Sequence, residues 1–548
     1  MGDSKTGQLS IVHIILVVMG LFALYFAGMG SYPLVDPDEP VYGQVAKEMA
    51  AGAGWLTPHY DGKAWFDKPP LFYWLSGLSA RVFGPTELAC RLPSAVLAVA
   101  VVLLLYFLVK HDFGRRAALF AALVMGTCLQ TIILARAAVT DMTLLFCLLG
   151  ALYAYRRWFD EAESRPSLPS YSLFPIPYSL RWMALCGVMT GLGMLAKGPV
   201  APLLLFVTFF IHLWRSGRLR RLVSVDALAG IAMALIAGLP WFAAMYVLHH
   251  DAFVHQFIEV NNFTRFLKPE HAKVTGGWYS YFLNIPVLLV FFFPWSVFLP
   301  AGLLRFKGAN EGAKLAGIWL AVVFVFFSLS KTQLVTYIFP LYPAAALLVG
   351  VLLDRAASGE IGSQTAVRRS LVAGVIFSAL LAVALVVMAR SKYPDAMTAT
   401  AALGGVLLSA PVIALVLRGK PGRAAWAIGT GMAIFALILM FAVVPTINPA
   451  ISTRDIVRTI PRVADDRVVE WNLRKPSLLF YLGFTPEHLP SMSEARRLLG
   501  KEVSTWVICK DKDAPLLRVK GSVESARVGG LTVIANESAA KRKGSVRN

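Results

Sequence analysis

The 548-residue chain is 57% hydrophobic and only 15% charged, with a mean hydropathy of +0.63, whereas a soluble domain carries roughly a quarter charged residues. That balance excludes an ordinary soluble protein and indicates a polytopic membrane protein built from helices, because the strand-type alternation of a β-barrel is absent. The net charge of +20 does not point to nucleic acid, since most of it falls in short loops between apolar runs.

In chain order, the apolar run Ile11 to Met29 predicts a first span. It is long, and no A-x-A site follows, so it reads as an uncleaved anchor rather than a signal peptide. A hydrocarbon core about 30 Å thick takes about 20 apolar residues per helix. On that measure twelve more spans are expected, centred near residues 100, 126, 148, 189, 206, 236, 291, 321, 344, 379, 408 and 435. Residues 1–445 thus form an all-α transmembrane domain of about thirteen helices.

Two segments between spans, 31–91 and 249–277, are too polar to cross and are expected to lie along the membrane surface. Within the first, "PVYGQVAKEMAAG" predicts a helix with a proline in its first turn and Gly52 at its end, and "PPLFYWLSGLSARVFG" predicts another. The composition changes near residue 446. "RVVEWN", "SLLFYLG", "TWVICKD" and "GLTVIANE" read as strands and "MSEARRLLG" as a helix, so 446–538 is expected to be a small soluble α/β domain. The basic tail, 539–548, is expected to be disordered. No internal repeat is visible, so the inverted-repeat signature of many secondary transporters is missing.

Orientation follows from Lys and Arg in alternate loops. One set of loops, from Lys110 to Arg423, holds twenty; the short loops of the opposite set hold only Arg136, Lys197, Lys331, Arg390 and Lys392. The richer face is then cytoplasmic, the N-terminus is inside, and the C-terminal domain and segments 31–91 and 249–277 face the periplasm. Of the five cysteines, four lie in or beside apolar runs and only Cys509 falls in the polar domain, so no disulfide framework or metal-ligand spacing emerges.

Charges kept on the poorer face call for a reason. They are Asp38 and Glu39, Lys68, Arg136 with Asp141, Lys197, Asn262 with Arg265, and Lys331 with Tyr337. Cations against a low-dielectric wall bind phosphate strongly, and a carboxylate among them stays ionised, able to orient or deprotonate an acceptor. Plainer roles compete: a helix cap for Asp38 and Glu39, headgroup anchoring for Lys197 and Lys331, mutual pairing for Arg136 and Asp141, and an interfacial belt for Tyr337 and the aromatics near Lys68.

The order of the motifs favours the site. "DEPVYGQVAKEMAAGAGWLTPHYDGKAWFDKPPLFYWLSGLSARVFGPTELACRLPSA", followed by "ARAAVTDMTLLF", "GLGMLAKGP", "NNFTRF" and "FFSLSKTQLVTYIFPLYP", resembles the bacterial aminoarabinose transferases, relatives of the protein O-mannosyltransferases in the GT-C class. The resemblance covers the spans to about residue 350 and the rest by architecture. It implies a thirteen-span GT-C fold in the inner membrane. It also implies an inverting glycosyltransferase that moves 4-amino-4-deoxy-L-arabinose from undecaprenyl phosphate to lipid A phosphate, giving resistance to polymyxin and other cationic peptides.

The same resemblance implies catalytic roles for Asp38 and Asp141, with Glu39 beside them. Lys68, Lys197, Arg265, Lys331, Tyr337 and Asn262 are implied around the substrate phosphates. Asp67 and Asn261 depart from the family, which often has Glu and His there. No cofactor or metal is called for, and a monomer surrounded by membrane lipids is expected. Two alternatives remain: another polyprenyl-phosphate-sugar glycosyltransferase with a different sugar or a protein acceptor, and a lipid transporter.

Overall fold

In the computed structural model, residues 19–164, 178–264, 267, 281–305, 310–461 and 466–546 are described. The first is helical over 19–26, and the part of the expected first span before residue 19 lies outside the described residues. Helices then follow as α1 (Asp38–Ala50), α2 (Leu71–Phe83), α3 (Glu87–Phe113), α4 (Arg115–Thr127), α5 (Leu129–Ala135), α6 (Asp141–Ser164), α7 (Tyr178–Lys197), α8 (Val200–Arg215) and α9 (Val225–Phe253). Further on come Asn284–Phe291, Glu311–Leu329, Tyr342–Ala357, Ile361–Lys392, Met397–Val416 and Pro421–Ile438.

A helix stands at every expected centre. Among the described residues, eight helices are long and apolar enough to cross a membrane, and ten if each of two bent pairs is one span. The expected thirteen also counts 19–26, the charge-bearing α6 and the shorter α8.

The two bent pairs explain each other. α4 and α5 meet at 64°, and Asn284–Phe291 meets Trp295–Arg305 at 114°. At the breaks, Leu129 N–H donates to Phe293 O at 3.0 Å and Trp295 Nε1 donates to Thr127 Oγ1 at 3.0 Å. Backbone groups freed by a break in an apolar interior need a partner, and each break supplies one to the other.

α1 and α2 form where proline and glycine punctuate the first segment. Pro70 precedes α2 and Gly84, at φ +77°, follows it; Gly52 follows α1 at φ +96°. α1 does not lie open on a surface, as the sequence suggests. Val45, Ala46 and Met49 are fully buried, and Val45 and Met49 pack with Phe72, Tyr73 and Phe480.

One arginine ties this segment to the bundle. Arg91, in the first turns of α3, is fully buried. Its five N–H groups meet five acceptors: Glu39 Oε1 (2.8 Å) and Oε2 (2.7 Å), and the carbonyls of Met29 (2.9 Å), Tyr32 (2.9 Å) and Pro33 (2.6 Å). Glu39 in turn accepts from Val35 N (2.8 Å) and Ala138 N (2.7 Å). A guanidinium has five donors and no more, so this one is saturated.

The C-terminal domain is a five-stranded mixed sheet. Its strands are β3 (Arg467–Glu470), β4 (Glu487–His488), β5 (Thr505–Lys510), β6 (Val523–Val528) and β7 (Leu531–Ala535), while β1 (His59–Tyr60) and β2 (Lys63–Ala64) form a separate hairpin. The order is β4-β3-β5-β7-β6, with β3 parallel to β4 and β5 and the other pairs antiparallel. Alternate residues of β5 pack on opposite sides: Trp506 and Ile508 into one core, Val507 and Cys509 into the other.

Two expectations fail here. "SLLFYLG" is the helix Pro476–Leu482, started by a proline in its first turn and stopped by Gly483 in the left-handed region. The tail is helical from Glu537 to Val546 rather than disordered: Asn536 Oδ1 accepts from Ala539 N at 3.0 Å, an N-cap, and Ala539 is buried in the domain core.

Replacing Arg91 by Ala leaves Glu39 buried and unpaired, which is expected to lower stability by about 3–5 kcal/mol. Lys supplies three donors for five acceptors, so Arg91→Lys is expected to lower the unfolding midpoint as well. Thermal unfolding of detergent-solubilised protein tests this; a wild-type midpoint for Arg91→Lys contradicts the five-point clamp.

Candidate active site

Asp38 is the first residue of α1, next to Glu39. Successive helical residues point about 100° apart, so one turns inward and the other outward. Glu39 goes to the Arg91 clamp and is spent there. The sequence-derived catalytic role for Glu39 is therefore corrected: four hydrogen bonds leave it a structural group. Asp38 turns the other way, exposed to solvent, toward a hollow defined by the charged groups that act on it.

Four other charged groups act on Asp38: Asp141, Lys68, Asp67 and Lys197. Asp141 opens α6, and Lys197 closes α7 because Gly198 takes φ +83° and Pro199 follows. Their side chains meet, with Lys197 Nζ 2.7 Å from Asp141 Oδ1 and both largely buried. Lys197 also stands 5.4 Å from the centre of the Tyr337 ring. Lys68 Nζ lies 3.1 Å from Asp67 Oδ2 and donates to the Asp67 carbonyl at 3.2 Å. The structure thus gathers Asp38, Asp67, Lys68, Asp141, Lys197 and Tyr337 from five separate parts of the chain.

The walls come from the second polar segment. Asn261 Nδ2 donates to Phe66 O at 3.3 Å, His249 Nε2 is 2.9 Å from Thr57 Oγ1, and Phe66 packs with Phe253 and His249. These contacts hold the turn that presents Lys68. Asn262 donates to Phe257 O at 2.6 Å and stands against Gly198, beside Lys197.

Other expected residues go elsewhere. Arg136 does not pair with Asp141. It is buried and caps the first helical segment, donating to the carbonyls of Leu24 (2.8 Å), Tyr25 (3.2 Å) and Ala27 (2.6 Å). Lys331 stands 3.1 Å from the Tyr281 hydroxyl and over its ring, and among the described residues no contact joins it to the hollow. Arg265 lies outside the described residues.

One residue escaped the sequence reading. Tyr42, four positions after Asp38 on the same helical face, is nearly buried and feels the charges of Asp67, Asp38 and Asp141. Burial first and these anions second raise its phenol well above the usual range, and its ring packs against Phe72 and Tyr73.

Burial, with the negative charges of Asp141 and Asp67, raises the Asp38 carboxyl above its ordinary value, against the opposing pull of Lys68 and Lys197. The result is two cations and three carboxylates in one hollow, suited to gripping phosphate while steering a second polar group. A further cluster, His111, Asp112 and Asp160, could hold a metal ion by spacing, but Arg156 already pairs with both acids. It belongs to the cation-rich end of the bundle, away from the hollow.

Residues 67–243 match the dolichyl-phosphate-mannose-protein mannosyltransferase family. The undecaprenyl phosphate-alpha-4-amino-4-deoxy-L-arabinose arabinosyl transferase 1 of Pseudomonas fluorescens Pf-5 is 30% identical over 353 residues, 63% of this chain and 60% of that relative, less than two thirds of its length. The protein of the same name from Pseudomonas fluorescens Pf0-1 is 26% identical over 94% of this chain and 92% of its own. Among solved structures, ArnT from Cupriavidus metallidurans bound to undecaprenyl phosphate superposes with a TM-score of 0.77 at 23% identity, covering 95% of this chain and 98% of that one.

The fold is therefore the polytopic GT-C membrane fold. Within that fold, the relatives that this chain resembles in sequence are aminoarabinose transferases.

A carboxyl whose pKa is raised on folding binds protons more readily when folded, so its ionisation weakens the fold as pH rises. The penalty is full above the raised pKa and gone below the ordinary carboxylate pKa of about 4. Asp38→Asn is therefore expected to raise the unfolding midpoint at neutral pH, with the gain shrinking as the pH falls toward that value. An Asn variant no more stable than wild type, or a gain independent of pH, contradicts the raised pKa.

Proposed function

We propose that the protein transfers 4-amino-4-deoxy-L-arabinose from undecaprenyl phosphate to a phosphate of lipid A, at the periplasmic side of the bacterial inner membrane. The reading rests on one observation above all, the convergence of Asp38, Lys68, Asp141 and Lys197 on one hollow. The names of the relatives support the sugar and the carrier. The charge asymmetry of the loops supports a cytoplasmic N-terminus and a periplasmic C-terminal domain. The working unit in this reading is a monomer.

A phosphate monoester is already largely dianionic near neutral pH, its second pKa being about 6, so its oxygen attacks without a strong base. The acceptor oxygen forms a bond to the anomeric carbon while the bond to the donor phosphate oxygen breaks. The electron pair leaves on undecaprenyl phosphate. Lys68, with Lys197 held beside it, stabilises the charge gathering on that leaving group. A single displacement inverts the anomeric centre. Asp38, with its raised pKa, orients the acceptor through a shared proton or holds the ammonium of the sugar, and Asp141 holds Lys197 in place.

The product explains a biological role: an amino sugar on a lipid A phosphate lowers surface negative charge and weakens attraction for polymyxin-like peptides. The mannosyltransferase-family match over residues 67–243 keeps a second reading in play, the same chemistry with another sugar or a protein acceptor.

Mass spectrometry of lipid A from cells with and without the protein separates the two. Aminoarabinose-bearing lipid A is expected with the wild type and not with Asp38→Asn or Lys68→Ala at equal protein levels. Unmodified lipid A with the wild type contradicts the proposed acceptor and sugar, and full modification by either variant contradicts its assigned role.

A further inference from the structure

The stretch leading into Asp38 is held from two sides. Arg91 grips it from the bundle, and the C-terminal domain grips it from the other side, through contacts that the transfer chemistry leaves unexplained. Asp36, two residues before Asp38, accepts two hydrogen bonds from Ser477, from N–H at 2.9 Å and from Oγ at 2.6 Å. Ser477 is fully buried, and its Oγ also accepts from Thr453 N (3.2 Å) and Oγ1 (2.8 Å). Leu34 N donates to the Tyr481 hydroxyl at 2.8 Å, which stands 3.2 Å from Glu87 Oε1. Asp36 N donates to Ile451 O at 3.2 Å. Later in α1, Lys47 Nζ reaches Phe480 O at 3.1 Å.

A domain needed only for solubility or export has no cause to bury a serine against an aspartate two residues from the cleft. Ser477 and Tyr481 sit on one short helix, Pro476–Leu482, which packs on α1 through Phe480. The backbone before Asp38 has little helical hydrogen bonding of its own, because the first N–H groups of a helix lack intrahelical partners. Its position is thus set by what grips residues 31–36. Misplacing a reacting group by about 1 Å can lower a rate by as much as about 100-fold.

We propose that the C-terminal domain is part of the catalytic apparatus: Ser477 and Tyr481 are positioning residues that fix Asp38 in the hollow by holding Asp36 and Leu34. The proposal rests on the transferase reading above for its kinetic consequence, and on geometry alone for its structural one.

Two readouts on the full-length protein in lipid nanodiscs test it. Ser477→Ala and Tyr481→Phe each remove one hydroxyl and keep the surrounding packing. Each is expected to lower kcat about tenfold, with KM for the lipid-linked donor within about twofold, because the phosphate-binding lysines are untouched. Amide exchange at Leu34 and Asp36 is expected to quicken in both. Arg518→Ala, on the exposed side of the same domain where it pairs with Glu524, serves as the control and is expected to change neither. Unchanged kcat and exchange in Ser477→Ala and Tyr481→Phe overturn the proposal, as does an equal fall in kcat for Arg518→Ala. If the wild type transfers no aminoarabinose, the transferase reading fails, while the exchange rates still decide whether the domain holds the segment.

Discussion

A buried guanidinium with every donor engaged is the constraint on which the rest depends. Arg91 fixes three carbonyls of the chain leaving the first helical segment and both oxygens of Glu39. Glu39 closes the circuit to Val35 and to Ala138, three residues before Asp141. One ion pair therefore sets the start of α1 against the loop entering α6, and Asp38 and Asp141 owe their mutual position to it. Paired buried charges are dearly desolvated and are often no more stable than apolar packing. Their use here is geometric: the clamp permits a single register between two loops at a membrane boundary.

Inside the cleft the balance of charge matters more than any one pair. Asp38, Asp67 and Asp141 would repel one another without Lys68 and Lys197, and the lysines alone would bind any passing phosphate. Together they act on Asp38, whose carboxyl burial and the neighbouring acids raise above its ordinary value against the pull of the two lysines. That arrangement suits a reaction in which both the attacking and departing groups are phosphates, where the enzyme has charge to disperse and little proton transfer to perform.

Much of this is legible in the sequence. The spans follow from apolar run length, and α1 and α2 from proline and glycine at their ends. Lys68, Asp141 and Lys197 are readable because each is a charge retained where the outer loops are otherwise poor in it. What the chain does not reveal is direction. Asp38 and Glu39 are neighbours of like chemistry, and only the packing of α1 decides that one faces water and the other Arg91. Arg136 reads as a partner for Asp141 five residues on, yet reaches the carbonyl end of a helix more than a hundred residues away. "SLLFYLG" has the apolar density of a strand, and periodicity alone does not separate a short buried helix from a strand. Its helical state places Ser477 and Tyr481 against the first loop, a long-range contact with no local signature.

The central claim is that one hollow, framed by Asp38, Lys68, Asp141 and Lys197, receives the lipid phosphate. An electron cryomicroscopy map of the protein in nanodiscs with added undecaprenyl phosphate tests it most directly. The account predicts phosphate density within hydrogen-bonding distance of Lys68, with Asp38 and Asp141 bordering the same cavity. Headgroup density lodged beside Lys331 and Tyr281, with the Asp38 cleft empty, contradicts it.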